Sequence, residues 1–144
     1  MADAVCLNCS KQFKYNPANK SGMFCCCQCS SDYKQKQYII EWLRDDVSGG
    51  NGFQLSNYVR NYLISESDNK CSKCGWAEIN TFTGRIPLQV DHIDGDPFNH
   101  SPDNLRVLCP NCHSLTETFG SQNKGNGRYS RGTPHPKHGR IAQR

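Results

Sequence analysis

The feature that most constrains this chain is its cysteine content: ten residues in 144, gathered into two groups. Cys6, Cys9 and the run "FCCCQC" (Cys25, Cys26, Cys27 and Cys29) lie near the N-terminus, while Cys71, Cys74, Cys109 and Cys112 lie further along. With 35% apolar residues and a mean hydropathy of −0.75, the chain has too little apolar surface for one large core. Two small crosslinked units are implied instead. "MADAVCLNCS" carries no basic segment followed by an apolar run, and no apolar stretch reaches membrane-spanning length, so a cytoplasmic chain without a membrane partner is expected. In a reducing compartment, cysteine pairs serve metals more often than disulfides.

Cys71, Cys74, Cys109 and Cys112 read C-x2-C, thirty-four residues, then C-x2-C. Two short knuckles each aim two sulfurs at one point, which is the donor set of a closed tetrahedral zinc site. Lacking an open position, such a site is structural, and its metal would supply much of the folding energy of a small unit. Cys6 and Cys9 form another knuckle and need two partners from the run. Spacing offers Cys26 with Cys29 as C-x2-C, or Cys25 with Cys29 if both sit on one face of a helix start. A helix directly downstream favours Cys25 with Cys29 and leaves Cys26 and Cys27 as small, partly buried thiols.

The remaining elements follow from periodicity. In "SSDYKQKQYIIEWLRDD", Tyr38, Ile39, Trp42 and Leu43 recur with helical spacing, predicting a helix from about Cys27 or Ser31 to Arg44. "DDVSGGNGF" reads as a flexible joint, and "LSNYVRNYLISES" as a second helix capped by Ser56. The apolar stripes of both helices are expected to serve core packing. Alternation in "IPLQVDHI" predicts a strand running into Asp91 and His92. "NLRVLCPNCHSLTETFG" predicts a strand over 105–108, a turn at Cys109–Pro110 and a helix from about Asn111 to Thr118, completing a ββα unit. The two cysteine groups are not copies of each other.

Charge is concentrated at one end. The net charge is +4, yet residues 120–144 hold six basic residues and no acidic one. That segment is rich in Gly, Pro and Ser, so it is expected to be extended and to meet a polyanion through residues such as Lys124, Arg128 and Arg131. Lys11, Lys14, Lys20, Lys34 and Lys36 offer a second basic surface.

The stretch "VDHIDGDPFNHSPDNLRVLCPNCHSL" resembles the HNH nuclease family. The resemblance rests on His92, Asn104 and His113, with eleven and eight residues between them, on Asp91 before His92, and on "NLRVLC" and "CPNCH". It implies a ββα-metal unit and a metal-dependent endonuclease hydrolysing phosphodiester bonds in double-stranded DNA, of phage type, with a homing endonuclease as one form. Carried onto this chain, Asp91 and His113 would hold a catalytic Mg²⁺ or similar divalent cation, His92 would be the general base, and Asn104 would hold the His92 strand. A histidine base and a cation acting as Lewis acid suit the chemistry on independent grounds. Adjacent strand residues point to opposite faces, so Asp91 and His92 can serve one centre only if the strand kinks or ends there. Asp94 and Asp96 read as turn residues, His100 as surface or a DNA contact, and Arg106 as facing phosphate or solvent.

"CLNCSKQFKYN…FCCCQCSSDY" is similar to small fingers of the C-x2-C…[FY]-C-S-x-x-C type found ahead of phage HNH domains, with Cys26 at the usual serine. That resemblance also places Cys25 with Cys29. The expected fold class is α+β: a treble-clef-like zinc finger over 1–31, a helical linker over 32–69, the HNH module over 70–119 and a basic tail over 120–144. Two structural Zn²⁺ sites, Cys6/Cys9/Cys25/Cys29 and Cys71/Cys74/Cys109/Cys112, go with it. A non-enzymatic zinc protein that binds nucleic acid for regulation is the alternative.

Overall fold

The computed structural model of the chain describes residues 1–18 and 21–123, so the tail with Lys124, Arg128 and Arg131, together with Lys20, lies outside the described residues. The chain forms two compact units that divide after Val47, within the 32–69 segment.

In the first unit, strands β1 (Ala2–Val5) and β2 (Gln12–Tyr15) pair antiparallel, Ala2 opposite Tyr15. The knuckle is the turn between them: the Ser10 N–H donates to the Cys6 carbonyl at 2.9 Å, and the Cys6 N–H to the Lys11 carbonyl at 2.9 Å. Ser10 takes the left-handed φ of 59° that this turn needs. Helix α1 (Cys27–Leu43) follows, starting at the earlier of the two expected positions, with Ile39 and Trp42 buried. Cys26 caps it, its Sγ accepting the Cys29 N–H at 3.4 Å. Cys26 and Cys27 are exposed, correcting the expectation of partly buried thiols, because both lie on the solvent side of the helix start.

The second unit opens with a correction. The expected joint is a hairpin, β3 (Gly50–Asn51) paired with β4 (Gln54–Leu55), turning at Gly52 with φ 59°. Gly52 is the first central residue of a two-residue turn, where a positive φ favours glycine. Helix α2 (Asn57–Glu66) begins as expected, the Ser56 hydroxyl accepting the Tyr58 N–H at 3.2 Å, and buries Val59. Strands β5 (Gln89–His92) and β6 (Leu105–Leu108) pair antiparallel, with Asp91 opposite Arg106 and His92 opposite Leu105. Strand β5 is shorter than the alternation suggests, because the Leu88 N–H turns back onto the Ile86 carbonyl at 2.8 Å. Helix α3 (Pro110–Ser114) also stops early: the Thr116 N–H and hydroxyl both bond the His113 carbonyl, at 3.1 and 2.9 Å, and close the last turn. Its core joins Cys71, Leu108, Cys109 and Cys112 to Trp76 and Leu88.

Candidate active site

The described residues hold two thiol clusters, one in each unit. The Sγ atoms of Cys6, Cys9, Cys25 and Cys29 lie within 4.8 Å of one another, and so do those of Cys71, Cys74, Cys109 and Cys112. A zinc ion bound at 2.3 Å by four sulfurs sets each S···S edge at about 3.8 Å. The observed edges agree: 3.7 Å for Cys9–Cys25, 3.5 Å for Cys25–Cys29 and 3.8 Å for Cys74–Cys109. Burial pushes the Cys6 thiol up, but the N–H groups of Cys25, Cys9 and Asn8 outweigh it and bring the pKa to about 6. Cys71 repeats this, burial being outweighed by the N–H groups of Cys109, Cys74 and Lys73, again to about 6. Cys112, sharing its space with Cys74 and buried, is pushed up to about 12. Four thiolates this close cannot all be charged without a cation among them, so both donor sets fit zinc.

The second cluster places the remaining chemistry. Helix α3 starts on Cys109, whose Sγ accepts the Cys112 N–H at 3.4 Å, and presents His113 one residue beyond Cys112. The His113 Nε2 then lies 3.4 Å from the Asp91 Oδ1. Two ligands at about 2.0–2.1 Å from one cation stand roughly 3.0–3.4 Å apart, so this spacing fits a shared ion. Phe119 meets the His113 ring edge-on at 5.3 Å and steadies it. Asp91 is buried, and its Oδ2 accepts the Arg106 Nε–H at 2.8 Å. Arg106 therefore meets a carboxylate through its Nε while its side chain stays 35% exposed; the cross-strand register Asp91↔Arg106 is the signal that sequence reading missed.

Val90, Asp91, His92, Gly95, Pro97, His113, Thr118 and Asn123 line one cleft of about 210 Å³. A straight strand would not bring Asp91 and His92 to a common space, but β5 ends at His92, where the Gly95 N–H bonds the His92 carbonyl at 3.0 Å. Gly95 has φ 73°, and a Cβ there would meet the Thr118 Cγ2 at 2.7 Å and the Asn123 side chain. Asn104 clips the loop shut: its Nδ2 donates to the Asp94 Oδ1 at 2.9 Å and the Asn99 carbonyl at 2.8 Å, and its Oδ1 accepts the Asp94 N–H at 3.0 Å. Asp94 and Asp96 accept the N–H groups of Asp96 and Phe98, at 2.8 and 3.0 Å, as turn aspartates do. Burial opposes the charge on Asp94, yet bonds from Asn99, the Asp96 N–H and Asn104 hold its pKa below the ordinary value.

His100 departs from expectation. It is 3% exposed, neither surface nor DNA contact, because the β3–β4 hairpin covers it. Its Nδ1 lies 2.9 Å from the His92 Nε2, and its Nε2 lies 3.0 Å from the Gly52 carbonyl. Burial, then His100, hold His92 below the ordinary imidazole value, against the pull of the nearby aspartates.

The family model for HNH endonuclease matches residues 79–114, the span carrying Asp91, His92, Asn104 and His113. Over 79 residues, 52% of this chain, the sequence is 39% identical to the H-N-H endonuclease F-TflIV of Escherichia phage T5. The chain covers 34% of that protein, about a third of its length. No solved structure matches the chain. Among the described residues, no helix is long and apolar enough to cross a membrane. Residues 79–114, the span similar to HNH endonucleases, hold the strand pair β5–β6 and helix α3.

Proposed function

We propose that the chain is a metal-dependent DNA endonuclease, of the phage type to which homing endonucleases belong, acting on double-stranded DNA in the cytoplasm of its host cell. The observation that carries this reading is the 3.4 Å approach of the Asp91 Oδ1 to the His113 Nε2 beside His92 in one cleft. Asp91 and His113 would hold Mg²⁺ or a similar divalent cation. When bound, that cation supplies Lewis-acid stabilisation of the departing 3′-oxygen. His92 takes the proton from the attacking water. Arg106 orients Asp91 through its Nε–H, and Asn104 holds the loop that ends the His92 strand. Hydrolysis would leave 5′-phosphate and 3′-hydroxyl ends.

The four-cysteine clusters bind structural Zn²⁺ in this reading, the first within a treble-clef-like finger. Exposed Lys11, Lys14 and Lys34, with Lys124, Arg128 and Arg131 of the tail, supply sequence-independent contacts to phosphate.

Cleavage measured against Mg²⁺ concentration tests the cation site. Asp91→Asn is expected to raise the Mg²⁺ needed for half-maximal cleavage by about 10–100-fold while both zinc ions stay bound. An unchanged Mg²⁺ requirement would remove Asp91 from the cation site.

A further inference from the structure

His100 is the buried histidine that the reading above does not use, and its two ring nitrogens are both engaged. A backbone carbonyl can only accept, so at 3.0 Å from the Gly52 oxygen the His100 Nε2 must carry the proton. A neutral imidazole protonated at Nε2 has a bare Nδ1, which can only accept. The atom 2.9 Å from that Nδ1 is the His92 Nε2, which must therefore donate. His92, protonated at Nε2, then keeps its lone pair on Nδ1. The choice of basic nitrogen thus passes from a carbonyl at residue 52, through one ring, to residue 92.

The surroundings hold this chain of bonds in place. Gly50 leaves room for its hairpin partner and for His100: a Cβ there would meet the Gln54 carbonyl oxygen, the His100 Cδ2 at 2.6 Å and its Nε2 at 2.7 Å. The preceding Asn99 is pinned by its carbonyl to Asn104 and by its side chain to Asp94, at 2.8 Å each. Rings of His92 and His100 stand 5.1 Å apart and tilted by 47°, so they meet through their nitrogens rather than by stacking. Burial keeps His100 on the neutral side, against the Gly52 carbonyl and Asp96, as the argument requires.

We propose that His100 is a positioning residue: seated under the β3–β4 hairpin on the Gly52 carbonyl, it fixes His92 in the Nε2–H tautomer, so that Nδ1 is the nitrogen that takes the proton from water. The proposal rests on the reading of His92 as general base. It assigns the hairpin, which carries no residue of the family motif, a role in setting up the reaction.

The test uses the zinc-loaded full chain labelled with ¹⁵N-histidine and observed through two- and three-bond ¹H–¹⁵N couplings. In the wild type, His92 is expected to show a protonated Nε2 and a bare Nδ1; a protonated Nδ1 would overturn the proposal without reference to activity. His100→Ala should leave His92 as a mixture of tautomers and lower kcat for plasmid cleavage by about 10–100-fold, with KM within about twofold. His100→Asn places an amide oxygen near the position of the lost Nδ1, and should restore the His92 signature and most of kcat. A merely space-filling His100 would give equal losses in both variants, and His100→Ala at wild-type kcat would also contradict the assignment. Cleavage that survives His92→Ala would instead defeat the reading of the base, leaving the tautomer measurement to stand or fall by itself.

Discussion

The two cysteine clusters share a first half and differ in the second. In each, the leading cysteine is buried, the residue after the second cysteine turns left-handed, and its N–H returns to the leading cysteine's carbonyl, at 2.9 Å from Ser10 and 2.8 Å from Gly75. Both second pairs stand at a helix start. In the later cluster the cap thiol, Cys109, is also a cluster thiol, and the next thiol, Cys112, directly precedes His113. In the earlier cluster the cap thiol is Cys26, outside the cluster, while Cys25 and Cys29 straddle it. The later cluster is therefore continuous with the core and the cleft, whereas the earlier one belongs to a unit that contains none of the cleft residues. One set of four thiols can stand beside a cleft or lie in a unit without one, depending on what its helix start also carries.

Breaking the clusters one at a time should expose this difference most strongly. Cys109→Ser is expected to cost most of the roughly 10–16 kcal/mol that a structural zinc contributes, unfolding the second unit and abolishing cleavage. Cys29→Ser should lower zinc content to one ion per chain yet leave kcat within about tenfold of wild type. Zinc stoichiometry measured beside single-turnover cleavage checks both, and equal loss of kcat in the two variants would erase the distinction.

A smaller effect separates the neighbouring thiols of the first cluster. Cys25→Ser should release the first zinc, while Cys26→Ser keeps it and gives α1 a hydroxyl cap in place of the thiol. Because serine is a preferred N-cap, the midpoint of thermal unfolding should hold or rise slightly. The reverse pattern of zinc retention would make Cys26 the ligand.

The smallest effect lies in the shared half. Ser10 adopts φ 59° where Gly75 adopts 74°, and a side chain in this region costs roughly 1 kcal/mol. Ser10→Gly should stabilise the first unit by up to about 1 kcal/mol and Gly75→Ser destabilise the second by a similar amount, as read by denaturant midpoints of the zinc-loaded protein.

Local signals made much of this legible from sequence. Cysteine spacing marked both clusters, helical periodicity marked α1 and α2, and the Ser56 cap and the 105–108 strand needed only neighbouring residues. Asp91, His92, Asn104 and His113 were marked by the resemblance to the HNH family, and the structure brings Asp91, His92 and His113 to one cleft with Asn104 closing the loop between the strands. What escaped depends on contacts far apart in the chain. Two-residue strands are too short to show alternation, so the hairpin at 50–55 resembled a joint; His100, 48 residues from its Gly52 partner, resembled a surface turn residue. Arg106 became readable only through the register of the strand pair. The glycines read as a joint in the sequence, whereas a Cβ at Gly50 would meet the Gln54 carbonyl across the hairpin and a histidine ring from another loop.

The most direct measurement of the central claim is cleavage of supercoiled plasmid with Mg²⁺ by wild type and by His92→Ala, each checked for two bound zinc ions and for DNA binding. A general base contributes about 10²–10⁴-fold to the rate. The expected result is nicked or linear product from wild type and a loss of that size in His92→Ala, with zinc content and DNA affinity unchanged; equal cleavage by the two proteins would contradict the account.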